Sequence, residues 1–246
     1  MIPFPFQSGG AGFAQQSVAG GGGGGSDPYW ASVTSLLHFN GADASTTFTD
    51  EKGITWTRDT TVGEIEIDTA QSVFGGASGL FNGGHIHTPT AGTADFGTGD
   101  FTFEARLRTG SFSAIQDILN NRSAAGGSGV TFRINTSGQL QFFWGAGTNL
   151  VTASSAMSTN TWAAVRLTRV GTTVYMFLNG TLVGSVSVGS SDLTATASSI
   201  TYLGVYGAFS NSSGIFTGHM DEARITKGVG RSTANYTVDT SEFPNS

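Results

Sequence analysis

Five consecutive residues alternate acid and isoleucine, Glu64-Ile65-Glu66-Ile67-Asp68. On a strand, residues two apart share a face and sit roughly 7 Å from one another. Carboxylates paired at such a distance can hydrolyse a glycosidic bond, one as acid and the other as base or nucleophile. The same pattern equally describes a strand with Ile65 and Ile67 inward and three acids in water. The structural reading is preferred, and no catalytic residue is assigned. His85-Ile86-His87 puts two imidazoles on one strand face. They could chelate zinc or copper only with a third ligand, and none is adjacent in sequence. Two exposed histidines at a sheet edge are expected instead. No Gly-x-Ser-x-Gly elbow stands in a strand–turn–helix setting. The six glycines Gly20–Gly25 lack the Lys-Ser/Thr that completes a phosphate loop. The chain therefore reads as a non-enzyme.

Aromatic rings with polar rims could hold a sugar. Trp144 with Asn149 forms one such group, and Tyr206, Phe209 and Asn211 form another on a late loop. Loops at the end of a scaffold commonly carry recognition, and Asn121–Gly129 is a third rim element. Trp30, Trp56 and Trp162 read as core or docking residues.

Composition narrows the field. Eleven Lys+Arg against seventeen Asp+Glu give a net charge of −6, so no cationic footprint exists for nucleic acid or an anionic membrane. No run of about twenty apolar residues exists to span a bilayer. Cysteine is absent, which removes disulfides, thiolate zinc sites and a Cys nucleophile. The first eighteen residues have no basic segment ahead of an apolar one, which argues against a secretory leader. Charged residues are 11% of the chain, against roughly 25% in an ordinary globular protein. Yet 38% are hydrophobic and 11% aromatic, enough for a core.

The elements that must position these residues are strands. From Tyr29 onward, short runs alternate apolar and polar between turn residues, about fourteen of them between Ser35 and Ile225. Asn179-Gly180 between Val174–Leu178 and Leu182-Val183 is the clearest hairpin, because both turn residues need positive φ. Gly171 and Thr172 join the preceding strand to it, completing a three-strand meander. Alternation in Val165-Arg166-Leu167-Thr168-Arg169 predicts one buried and one wet face. The expected fold is all-β, an antiparallel sandwich. Residues 1–29 form an extended Gly-rich arm whose apolar tip, Ile2, Phe4 and Phe6, suits docking into a partner.

Gly99-Asp-Phe-Thr-Phe-Glu-Ala-Arg-Leu107, Trp162–Arg169 with Val174–Gly180, and Gly218-His-Met-Asp-Glu-Ala-Arg-Ile225 occur in that order. Together they resemble the laminin-G-like, or concanavalin A-like, jelly-roll lectin/glucanase superfamily. The resemblance covers roughly residues 30–230, with 231–246 as a tail packing on the domain. Leu36-Leu-His-Phe-Asn-Gly-Ala-Asp43, Ala70–Ala77 and Asp221–Val229 with Thr233–Tyr236 resemble, more narrowly, modules of tailed-bacteriophage virion proteins. That likeness implies a structural protein on the virion surface, a capsid decoration or tail-associated module held by its arm. Its partners would be other virion proteins and copies of itself. The alternative it leaves open is an adhesion or receptor-binding module for a host or environmental glycan. Glucanases of the superfamily place three acids on a central strand, whereas Glu64–Asp68 lies ahead of the core-strand segment. Relatives often hold calcium between the loop after the first strand and the closing strand. The matching positions are Asn40, Asp50 and Asp221, with Asn40 standing where the family often has Asp. No other cofactor is implied.

Overall fold

The computed structural model describes residues 25–122, 128–145, 149–194, 200–206 and 214–246. The early strands are β1 (Val33–Leu37), β2 (Phe48–Thr49), β3 (Thr55–Asp59), β4 (Glu64–Asp68), β5 (Ser78–Asn82) and β6 (His85–His87). β7 (Phe101–Arg108), β8 (Gln116–Asn120), β9 (Val130–Ile134), β10 (Gln139–Trp144) and β11 (Asn149–Ala156) follow. β12 (Ala163–Val170), β13 (Thr173–Leu178), β14 (Thr181–Ser187), β15 (Tyr202–Leu203) and β16 (Thr217–Lys227) complete the chain. Among the described residues, the one helical element is a short 3-10 turn at Trp30–Ser32.

Two antiparallel sheets stack face to face, as the alternation requires. The first runs β14-β13-β12-β7-β16-β5-β4, with β1 paired to β16 beyond β5. The second runs β11-β10-β9-β8-β15-β6-β3-β2. Their inner faces share one core, in which Phe103 of β7 meets Phe132 of β9 edge to face at 6.1 Å. Strand parity decides who enters it. In β4, Ile65 and Ile67 are buried while the acids face outward. In β10, Leu140, Phe142 and Trp144 point in, which leaves Phe143 pointing out.

β11 was not expected as a strand. Asn149-Leu-Val-Thr-Ala-Ser-Ser-Ala156 lacks sustained apolar alternation, and as the outermost strand of its sheet it needs little. β16 carries a bulge: Glu222 adopts φ +54 and the register with β7 shifts between Asp221 and Arg224. An inserted residue re-aims neighbouring side chains.

The single wet face expected for β12 does not exist. Arg166, Thr168 and Arg169 are buried along with the apolar positions. The chain after β16 returns over the middle of the outer face of the first sheet, across β12, β7, β16 and β1. Arg166 stacks 3.5 Å from the Tyr236 ring centroid, and Arg224 stacks 3.7 Å from that of Phe243. Phe243 packs on Val33 and Leu36, and Ser246 O accepts the Asp27 amide at 2.8 Å.

The Asn179-Gly180 turn is also a docking point for this segment. Both residues have positive φ, +49 and +78. The Tyr236 amide donates to Gly180 O at 2.9 Å, and a Cβ on Gly180 would lie 2.2 Å from Tyr236 O. Gly180→Ala is therefore expected to cost about 1–3 kcal/mol from the left-handed backbone alone, with the clash added. Thermal denaturation checks this; an unchanged Tm would show that turn and tail both yield freely.

Candidate binding face

The outer face of the second sheet gathers aromatic and polar side chains in register. Neighbouring Cα partners run Leu150, Phe143, Thr131, Asn120, Tyr202, His87 and Thr57, one from each of seven strands. A second row runs Thr152, Gln141, Arg133 and Asp117. The sheet ladder holds these groups without any loop being needed to place them.

Phe143, half-buried, stands second in the first row, between Leu150 and Thr131. Arg122 places its guanidinium 4.8 Å from the Phe143 ring centroid, and Arg133 lies at 5.4 Å. Arg122 Nη1 donates to the Tyr206 hydroxyl at 3.1 Å, and its backbone amide donates to Asn120 Oδ1 at 2.9 Å. Arg133 Nε donates to Gln141 Oε1 at 2.9 Å, and Gln141 Nε2 donates to Thr152 Oγ1 at 3.0 Å. Leu150, 44% exposed, adds an apolar edge. Asp117 is 1% exposed, and burial pushes its carboxyl up to about 7 against the pull of Arg133 and Arg122.

Farther along the face, the Tyr202 ring lies 6.0 Å from His85 and 5.5 Å from His87. The two histidines are not at an exposed edge: β6 is flanked by β15 and β3, and His85 is buried. Burial lowers the His85 pKa, outweighing Asp59 at 3.7 Å. Among the described residues the pair gathers no third metal ligand.

On β10 the structure places Trp144 and Phe143 on opposite faces. Trp144 is 7% exposed and stacks on Phe142 at 5.1 Å inside the core, so its ring has no open face for a sugar. Phe143 is the aromatic that faces out, and the parity of Leu140 and Phe142 could have found it. Tyr206 is half-buried beside Arg122. Asn149 opens β11 opposite Trp144. Phe209 and Asn211, like the arm residues Ile2, Phe4 and Phe6, lie outside the described residues.

The residues present do not fit the calcium expectation. A hard cation needs several free oxygens. Both Asp50 oxygens are instead filled by donors: Oδ1 by the Lys52 and Ile54 amides, Oδ2 by the Ser35 hydroxyl and the Trp56 indole. Asp50 builds the turn between β2 and β3. Asp221 Oδ2 accepts the Val73 and Phe74 amides, while Oδ1 is buried without a partner. Burial pushes the Asp221 carboxyl up to about 7. Asn40 is exposed and donates to Glu242 at 2.9 Å. Beside it, His38 Nδ1 lies 2.6 Å from Glu222 Oε1, whose other oxygen accepts the Phe243 amide. His38, Glu222 and Glu242 are the one cluster of three metal-ligating side chains among the described residues. Two hollows in the surface adjoin His38 rather than Phe143. One is framed by the β1–β2 connection and the other by the chain end, and Asn40–Glu242 and Asn245–Glu51 bonds tie the two together.

The acid triplet does face one way, but its members are engaged separately. Glu64 pairs with Arg58, and Asp68 lies 2.8 Å from His219 Nε2. Glu66 is in register with Leu80 of β5, which is in register with His219.

A family model described as the concanavalin A-like lectin/glucanases superfamily matches residues 81–231, more than half of the chain. No curated protein matches the sequence. Among solved structures, the binding domain of Paraclostridial Mosquitocidal Protein 1 is similar at TM-score 0.61 and 14% identity, over 82% of this chain and 51% of that one. The chain thus spans about half the length of that relative. Domain 4 of AbnA, a GH43 extracellular arabinanase from Geobacillus stearothermophilus solved with arabinotriose, is similar at TM-score 0.60 and 16% identity, over 80% of this chain and 93% of that one. The botulinum neurotoxin serotype C1 binding domain is similar at TM-score 0.56 and 15% identity, over 82% and 50%. At these identities the likeness is one of fold.

Proposed function

The chain belongs to the concanavalin A-like lectin/glucanases superfamily, and from that membership we propose that it is a carbohydrate-binding module whose contact surface is the outer face of the second sheet around Phe143. The observation that carries this reading is the partly exposed Phe143 ring on a rigid strand, with the Arg122 and Arg133 guanidinium groups 4.8 and 5.4 Å from its centroid and Gln141 bonded to Arg133. A sugar offers C–H groups on one face and hydroxyls at its rim. An aromatic platform with fixed polar neighbours meets both, and preorganisation keeps the ordering cost low. The AbnA domain, solved with arabinotriose, supports the reading by sharing the fold over nearly its whole length. The work of the face is contact, not turnover: the acid triplet lies on the other sheet, away from Phe143.

The virion-surface setting rests on the narrower sequence resemblance and on the arm 1–29, of which residues 1–24 lie outside the described residues. It does not bear on which face makes contact.

The test is a glycan array probed with the full chain, followed by titration of the best ligand against Phe143→Ala. Loss of the ring is expected to weaken binding about tenfold or more, equivalent to about 1.4 kcal/mol or more. The Tm should move little, because the ring is outside the core. A chain that binds no saccharide on a broad array, or a Phe143→Ala variant that binds as well as the parent, would sink the proposal.

A further inference from the structure

We infer that this face selects acidic saccharides, sugars bearing a carboxylate, with Arg133 as the residue that reads the charge. The inference rests on the glycan-binding reading and adds the ligand class.

Most arginines of the first sheet are already occupied. Arg166, Arg224 and Arg231 pair with Glu104 and Asp27, and Arg169 donates to the carbonyls of Gly97, Gly171, Gly189 and Ser191. Arg133 differs. Its Nε is spent on Gln141, which sets the plane of the guanidinium. It makes no ion pair among the described residues. Its two terminal nitrogens are left as a fork beside the Phe143 ring, and a planar fork matches a carboxylate with two parallel hydrogen bonds.

The surroundings favour an anion. The strands on one side, β10 and β11, contain no acidic residue. On the other side, the acid in register with Arg133 is Asp117. It is buried, Oδ1 has no hydrogen-bond partner, and its raised pKa keeps it partly protonated near neutral pH. Asp117 therefore offsets only part of the charge of Arg133 and Arg122. A pyranose stacked on Phe143 would bring a ring carboxylate to the Arg133 fork.

Arg108, on the first sheet, is the natural comparison. It also lacks an ion pair among the described residues, but its row continues through His219 and Leu80 to Glu66, with Asp68 beside His219. Acids on that patch oppose an anionic ligand, so Arg108→Met serves as the control.

The experiment uses the full chain against oligosaccharides containing uronate or sialate, each matched to its carboxyl-methyl ester. The ester keeps shape and removes charge. The acid form is expected to bind about tenfold or more tighter than the ester. Arg133→Met should erase that difference, so that acid and ester bind alike. Arg133→Lys should keep only part of it, because the fork is lost. Arg108→Met should bind like the parent. Equal binding of acid and ester, a preference that survives Arg133→Met, or stronger binding of sulfated than of carboxylated sugars would overturn the inference. Neutral sugars bound without charge preference leave the glycan reading standing; no saccharide bound at all removes both.

Discussion

Replacing Glu104 with Gln should lower stability by about 3–5 kcal/mol, the loss expected when one partner of a buried ion pair is removed. Glu104 stands on the outer face of β7, 2% exposed beneath the chain end. Its Oε1 receives Arg166, with Nε at 2.8 Å; its Oε2 receives Arg224, with Nε at 2.9 Å and Nη2 at 2.7 Å. Arg231 Nε lies 3.5 Å away. Asp27 holds the far side of the cluster, taking Arg224 at 3.0 Å and Arg231 at 2.6 Å. Burial alone would push the Glu104 carboxyl up, but Arg166, Arg224 and Arg231 outweigh it and hold the group well below the usual carboxylate range. Without that charge, Arg224 and Arg231 are left with Asp27, and buried Arg166 has no carboxylate partner. Because the folded pKa is depressed, the stabilising contribution is fully present above the unfolded pKa and is lost only as pH falls through the folded value, in strong acid. The effect should therefore be undiminished at neutral pH. At roughly 2–4 °C per kcal/mol for a chain of this size, Tm should fall by about 10 °C. A Tm within a few degrees of the parent would show that water reaches the cluster and screens it.

The second large effect is a pH dependence of folding that favours mild acid. Burial pushes both Asp117 and Asp221 up to about 7, from an ordinary 3.8. A carboxyl raised in the folded state binds its proton more tightly there than in the unfolded chain. Its contribution is complete below the unfolded pKa and is lost as pH rises through the folded one. His38 acts in the same direction. Burial alone would lower its pKa, but the adjacent Glu222 outweighs burial and raises it above 6.5. Its contribution is lost as pH rises through that folded value. His85, whose pKa burial lowers, acts the other way, but the two carboxyls outweigh it; the chain should be more stable near pH 5 than near pH 8, each tenfold gain in proton affinity on folding being worth about 1.4 kcal/mol. Asp221→Asn isolates one group. The amide oxygen can still accept from Val73 and Phe74, and no charge forms at high pH. This variant should be more stable than the parent at pH 8 and should flatten the profile of Tm against pH. A slope unchanged by Asp221→Asn and by Asp117→Asn would show that neither carboxyl titrates near neutrality.

Asp221 and Asp50 mark the limit of reading from sequence. Asp221 was legible as a residue of the closing strand, but not as a carboxylate sealed beneath the Val73-Phe74 loop. That contact spans 148 residues in the chain. Asp50 offered an acid in a turn, and only the folded turn shows four donors converging on it. On β10 the choice between Trp144 and Phe143 was decidable from parity.

What the amino-acid order determined by itself was local: period-two alternation in β4, β9 and β13, and the positive-φ Asn179-Gly180 turn. These settle strands, hairpins and two stacked sheets, because inward and outward positions follow from backbone geometry alone. Which outer face stays open was decided only in three dimensions. The chain after β16 crosses the first sheet and closes it over Glu104, while the second sheet keeps Phe143 and Arg133 at the surface. Alternation can say that a side chain leaves the core. It cannot say whether a segment more than a hundred residues away will arrive to cover it.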